Sequence, residues 1–121
     1  MRGWKSLSRR SPSRLGPEAE RRVRLHYRLR GYQVVAANAW AGGYEVDVIL
    51  RRGSRLVFAE VKARAGAGFG DPLEAVGPEK ARRLDRAATA WLALRPELAG
   101  LEVAFEAVAV RGRRIVRTPL G

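Results

Sequence analysis

The sequence, 121 residues long, predicts an α/β fold in which one mixed β-sheet carries helices packed on it, in the order αβββαββ. Three observations lead there. Two segments place apolar residues at helical spacing, the other apolar segments alternate at strand spacing, and Gly-containing turns separate them. No internal repeat is present. The length suits one domain, expected over residues 15–121 behind a basic arm at residues 1–14.

The elements follow in chain order. The arm holds Arg2, Lys5, Arg9, Arg10 and Arg14 with no acid among Ser and Pro, a composition that reads as flexible. A helix is expected from about Pro17 to Arg30. Pro17 suits a first turn, and Glu18 and Glu20 suit the positive end of the helix dipole. Ala19, Val23, His26 and Tyr27 form its apolar stripe, and Gly31 stops it. Tyr32 to Ala37 reads as a strand and Asn38 to Gly43 as a turn or bulge. Tyr44 to Leu50 alternates, with Tyr44, Val46, Val48 and Leu50 expected on one face and Glu45, Asp47 and Ile49 on the other. Arg51 to Ser54 makes a hairpin turn. Arg55 to Ala63 alternates again, setting Val57, Ala59, Val61 and Ala63 opposite Leu56, Phe58, Glu60 and Lys62. Ala63 to Gly77 reads as a Gly- and Ala-rich connection with a short helical turn at Leu73 to Val76. A second helix is expected from about Pro78 to Leu94, with Ala81, Leu84, Ala88, Trp91 and Leu92 on its inner stripe. Strands at Leu101 to Val110 and Arg114 to Thr118, joined by a turn, complete the chain.

Composition excludes much. There is no cysteine, which removes disulfides, Cys-bound zinc, iron–sulfur clusters and thiol catalysis. The single histidine, His26, removes a His-rich metal site. No apolar run reaches the ~20 residues of a membrane span, and the basic N-terminus lacks the apolar stretch of a secretory signal, so a cytoplasmic protein with no membrane partner is expected. Lys and Arg number 24 against 12 Asp and Glu, a net charge of +12. So large an excess points to a polyanion, nucleic acid first, because neutralising phosphates releases counterions.

The central hairpin carries the chemistry. Glu45 and Asp47 share a face, as do Glu60 and Lys62, and an odd register sum puts both pairs on the same side. One register sets Glu45 opposite Glu60 and another sets Asp47 opposite Glu60; in either, all four side chains are expected to meet. Three carboxylates on a half-buried surface require a cation, and oxygen ligands suit Mg²⁺ or Mn²⁺. Lys62 can hold an attacking water or steady a phosphate. Metal-assisted phosphodiester hydrolysis needs that set of groups. The plain alternative is the polar face of a hairpin with ordinary salt bridges. Glu60 lies among Leu56, Val57, Phe58 and Ala59, an unusual place for such an acid.

Asp47, a hairpin and then Glu60-Val61-Lys62 resemble the core of the PD-(D/E)XK nucleases. More closely, roughly residues 15 to 110 resemble the YraN family, small bacterial proteins distantly similar to archaeal Holliday junction resolvases. Gly16 with Glu20, Gly31-Tyr32, Asn38, Glu45-Val46-Asp47, Val57 to Lys62 with Arg64, Phe69-Gly70, Glu74-Ala75-Val76 and Lys80 carry the resemblance. The chain departs from the family pattern at Ala19, at Tyr44 and at Trp40, which leaves every candidate ligand in place. The resemblance implies a restriction-endonuclease-like core. It implies that Asp47, Glu60 and the Val61 carbonyl hold Mg²⁺ or Mn²⁺, that Lys62 orients water, and that Glu20 completes the site. Glu45 would support these groups from behind. Arg64, Lys80, Arg82 and Arg83 would bind nucleic acid, DNA before RNA, and a resolvase cutting two strands symmetrically would act as a homodimer. For Glu20 a helix-dipole role is equally open, for Lys80 a solvated position at a helix start is the plainer reading, and His26 reads as packing. Two other functions fit the same charge: a nucleic-acid-binding protein on a nuclease fold that does not cut, and a basic RNA- or ribosome-associated protein.

Overall fold

The computed structural model describes residues 16–63 and 78–120. The elements are α1 (Gly16–Arg28), β1 (Gln33–Ala41), β2 (Tyr44–Arg52), β3 (Arg55–Ala63), α2 (Pro78–Ala93), a short 3₁₀ turn (Pro96–Leu98), β4 (Glu102–Arg111) and β5 (Arg114–Leu120). The predicted order therefore holds. One five-stranded sheet runs β1-β2-β3-β4-β5. Its pairs are antiparallel except β3 with β4, which is parallel. The arrangement is consistent with a restriction-endonuclease-like core. Residues 1–14, Arg64, Phe69-Gly70 and the turn predicted at Leu73 to Val76 lie outside the described residues.

The two helices cover opposite faces. Val23 and Tyr27 of α1 pack with Val48, Leu50, Val57, Ala59, Val61, Val108 and Val110. Leu84, Ala87, Ala88 and Trp91 of α2 pack with Val46, Ile49, Leu56 and Phe58 on the other face. A sheet buried on both faces explains why β3 and β4 read as near-continuous apolar runs. It also makes any acid within those runs conspicuous.

Helix α1 ends as its sequence requires. Gly31, at φ 88°, takes the left-handed conformation that side chains resist. Its amide donates to the Arg28 carbonyl, and the Tyr32 amide donates to the Tyr27 carbonyl. These two bonds form a Schellman cap. The Tyr27 and Tyr32 rings meet edge to face at 5.2 Å across it, the apolar contact that accompanies such caps. The cap thus aims the chain from α1 into β1.

The β1–β2 hairpin differs from expectation in two ways. Residues 38–41, read as turn, continue the strand, and only Gly42-Gly43 turns. Second, the side chains of β2 change phase at Asp47. Val46 packs toward α2 with Ile49, whereas Val48 and Leu50 pack toward α1. The expected single face of Tyr44, Val46, Val48 and Leu50 is therefore broken. The physical cause lies across the ladder. Asn38 sits at φ 51° between Ala37 and Ala39, which pair with Val48 and Val46. Asn tolerates that conformation better than most side chains, and the local twist it imposes is shared by the residue facing it, Asp47.

Candidate metal and phosphate site

The β2–β3 register settles which acids meet. Val48 pairs with Ala59, Ile49 with Phe58 and Leu50 with Val57. Continued one step, this register sets Asp47 level with Glu60, the second of the two arrangements open to the sequence. There the backbone ladder stops and a side chain takes over. Asp47 Oδ2 accepts a 2.7 Å hydrogen bond from the Val61 amide. Asp47 thus fills a place in the sheet that a strand carbonyl would otherwise occupy.

Glu60 is 3% exposed. It stands on the same face as Leu56 and Phe58, toward α2. Tyr44 donates its hydroxyl to Glu60 Oε1 at 2.8 Å. On the other oxygen, Lys62 Nζ lies 3.3 Å and Lys80 Nζ 3.6 Å from Oε2. Both lysines retain solvent contact, Lys80 more than Lys62. A buried carboxylate is tolerated only when paired, and here two ammonium groups near the C-terminal end of β3 do the pairing.

Not every predicted residue joins. Among the described residues no three Asp, Glu, His or Cys side chains group as metal ligands, so the expected meeting of three carboxylates does not occur. The phase change at Asp47 explains it. With Tyr44 and Val46 turned toward α2, Glu45 falls on the α1 side of the sheet, opposite to Glu60 and Lys62. Glu20 lies half-buried on α1, one turn before Val23. His26 packs edge to face on Tyr27 at 5.6 Å, the packing role expected of it. Arg82 and Arg83 are exposed at the start of α2, beside Glu79. Trp40 is 64% exposed on edge strand β1.

Sequence reasoning missed Tyr44 as a partner of Glu60 and set Lys80 at a solvated helix start. It also missed a second buried acid. Glu106 of β4 is 3% exposed and faces α1. Arg117 grips it with two bonds of 2.9 and 3.0 Å, Tyr27 donates at 2.7 Å, and Arg55 reaches it at 3.4 Å. The Arg117 guanidinium also covers the Tyr27 ring at 4.6 Å. Burial pushes the Glu106 carboxyl up, but the bonds from Arg117 and Tyr27 more than offset this and hold it below the usual range. Burial, with the bond to Glu106, pushes the Tyr27 hydroxyl far up. The sequence signal was the one that marked Glu60, an acid within a buried strand.

The two acids differ in kind. Glu106 is locked by a bidentate guanidinium and a buried phenol, the rigid pairing that fixes α1 to the sheet. Glu60 is held by two ammonium groups that solvent reaches, and the strand register sets it level with a second carboxylate.

Residues 19–110 match the model of a family described as "Uncharacterised protein family UPF0102". The chain is 38% identical over 116 residues to a UPF0102 protein of Paramagnetospirillum magneticum, covering 93% of this chain and 88% of the relative. It is 43% identical over 102 residues to one of Parvibaculum lavamentivorans, covering 84% and 74%. It is 41% identical over 106 residues to one of Methylobacterium nodulans, covering 88% and 81%. Among the described residues no helix is long and apolar enough to cross a membrane.

Proposed function

The chain belongs to the UPF0102 (YraN) family, and on that premise we propose that it is a metal-dependent endonuclease hydrolysing DNA phosphodiester bonds. Its fold and family relate it to the PD-(D/E)XK nucleases. The observation that carries the proposal is Glu60, a buried carboxylate level with Asp47 and ion-paired with Lys62 and Lys80 near the C-terminal end of β3.

The donor set fits a hard cation. Mg²⁺ commonly takes only one or two carboxylates and completes its shell with water and substrate phosphate. Asp47 and Glu60, with the carbonyl of Val61, would hold it. When bound, the ion supplies Lewis-acid polarisation of the phosphate and acidifies water. The protein's own part follows from the geometry. Tyr44 fixes one Glu60 oxygen, and the Asp47–Val61 bond fixes the second carboxylate. Lys62 orients a water or steadies the scissile phosphate. Lys80 adds positive charge where negative charge develops. Glu20 from α1 and Glu45 from the far side of β2 support the site, and Arg64, Arg82 and Arg83 hold the phosphate backbone. Branched DNA is the proposed substrate, and a homodimer the proposed cutting form.

The test is a panel of single-stranded, duplex, flapped and four-way-junction DNA incubated with Mg²⁺, Mn²⁺ or EDTA. Asp47→Asn and Lys62→Met run beside the unaltered protein. Metal-dependent cutting lost in both variants is expected, and the preferred DNA names the substrate. Tight binding with no cutting of any DNA would leave a binding protein on a nuclease fold.

A further inference from the structure

The chain has two arginine-rich hairpin turns, at opposite ends of the sheet, and they are used differently. The first, Arg51 to Arg55, is spent on internal contacts. Arg51 donates to the Gly53 carbonyl, Arg52 donates to the Arg30 carbonyl and stacks on Tyr32 at 4.8 Å, and Arg55 reaches Glu106. The second, Arg111-Gly112-Arg113-Arg114, joins β4 to β5. Its three arginines are exposed and no acid stands among them. Among the described residues, Arg113 and Arg114 enter no ion pair or hydrogen bond through their side chains.

This second turn stands at the site end. The parallel register sets Lys62 beside Ala109 and Ala63 beside Val110, so the turn begins where β3 ends. It is also fixed in place. Arg22 of α1 donates to the Gly112 carbonyl, which ties the tip of the hairpin to the helix. Gly112, at φ 59°, gives the tight turn this requires. The tie holds the backbone of the turn, so the exposed arginines beside it project from a defined position.

We infer that the Arg111–Arg114 turn is a second phosphate clamp, gripping the DNA backbone some nucleotides from the bond at Lys62. The inference rests on the proposed function. Its reach follows from strand dimensions. From Ala109 to the tip is about four residues at roughly 3.3 Å each, and β3 and β4 lie about 4.8 Å apart. The tip is therefore roughly 10–15 Å from Lys62. Phosphates of one strand recur about every 3.4 Å along a duplex axis, which puts the clamp about three to four phosphates from the scissile one.

The test is the salt dependence of binding to a labelled DNA duplex, from about 50 to 200 mM salt. The double variant Arg113→Gln with Arg114→Gln removes two charges from the clamp. Arg28→Gln with Arg30→Gln removes two exposed charges from the opposite end, as the control. Thermal melts verify that both fold. The clamp variant is expected to lower the slope of log K against log salt by about two, with weaker binding on every DNA sequence. The control is expected to change the slope by much less. An unchanged slope in the clamp variant, or equal losses in both variants, overturns the clamp while the site at Glu60 stands. Absence of DNA binding by the unaltered protein overturns the clamp and the proposed function together.

Discussion

Asp47 has two duties that substitution can separate. Its Oδ2 satisfies the amide of Val61, a residue 3% exposed, at 2.7 Å. Asp47→Ala strands that amide. A buried donor left unpaired costs about 1–3 kcal/mol, and the lost acceptor was a carboxylate, so about 2 kcal/mol is expected. For a chain of this length that corresponds to a fall in melting temperature of roughly 6–12 °C. Asp47→Asn keeps an oxygen that can accept the same bond. Its expected cost is below about 1 kcal/mol. Thermal and urea melts followed by circular dichroism read both variants. The two should differ clearly in stability and agree in losing cleavage. Equal stability of Asp47→Ala and Asp47→Asn would refute the claim that this side chain completes the sheet.

Four further predictions follow from the packing and the charges. Glu106→Gln removes the negative partner of Arg117 and should cost about 3 kcal/mol, the low end for a broken buried pair because Arg117 keeps some solvent contact; a loss under about 1 kcal/mol in urea melts would contradict it. The Glu106 carboxyl titrates lower folded than unfolded, so its stabilisation is full above the unfolded value near 4.3 and is lost as pH falls through the folded value. Glu106→Gln should therefore flatten the acid limb of stability against pH. Gly42 holds φ 59°, and a Cβ there would meet the Arg86 carbonyl oxygen at 3.0 Å and Ala87 Cα at 3.3 Å; Gly42→Ala should cost about 1–3 kcal/mol, and an unchanged melt would show that the hairpin turn yields. Lys80→Met removes one of the two ammonium groups on Glu60 Oε2. It should tighten Mn²⁺ binding by calorimetry about thirty-fold, as a unit charge near 4 Å from a divalent ion is worth about 2 kcal/mol even in water; weaker binding would show that Lys80 supports the ion.

Much of the fold was legible because its signals are local. Pro17, Glu18 and Gly31 bound α1, and the Gly-containing turns separate strands whose order the structure keeps. The phase change at Asp47 was not legible. Val46, Val48, Ile49 and Leu50 are all apolar in a sheet buried on both faces, so no polar residue marks which side each takes. Asn38 fits an ordinary strand end as well as the left-handed residue that breaks the alternation. The same break separates Glu45 from Glu60, so the carboxylates could be identified by type but not by face. Lys80 belongs to Glu60 through the packing of α2 on the sheet, which no short spacing encodes. Glu106 carried the same signal as Glu60, but nothing local pointed to Tyr27 and Arg117 as its partners, 79 and 11 residues away.

The most direct measurement is single-turnover cleavage of labelled four-way-junction and duplex DNA as Mg²⁺ is raised, for the unaltered protein and for Asp47→Asn. The proposed site predicts a cleavage rate that rises with Mg²⁺ and saturates. It predicts no cleavage by Asp47→Asn at any Mg²⁺ concentration, with melting near that of the unaltered protein. Cleavage that persists in EDTA, or in Asp47→Asn at the same rate, would contradict a catalytic centre built on Asp47 and Glu60.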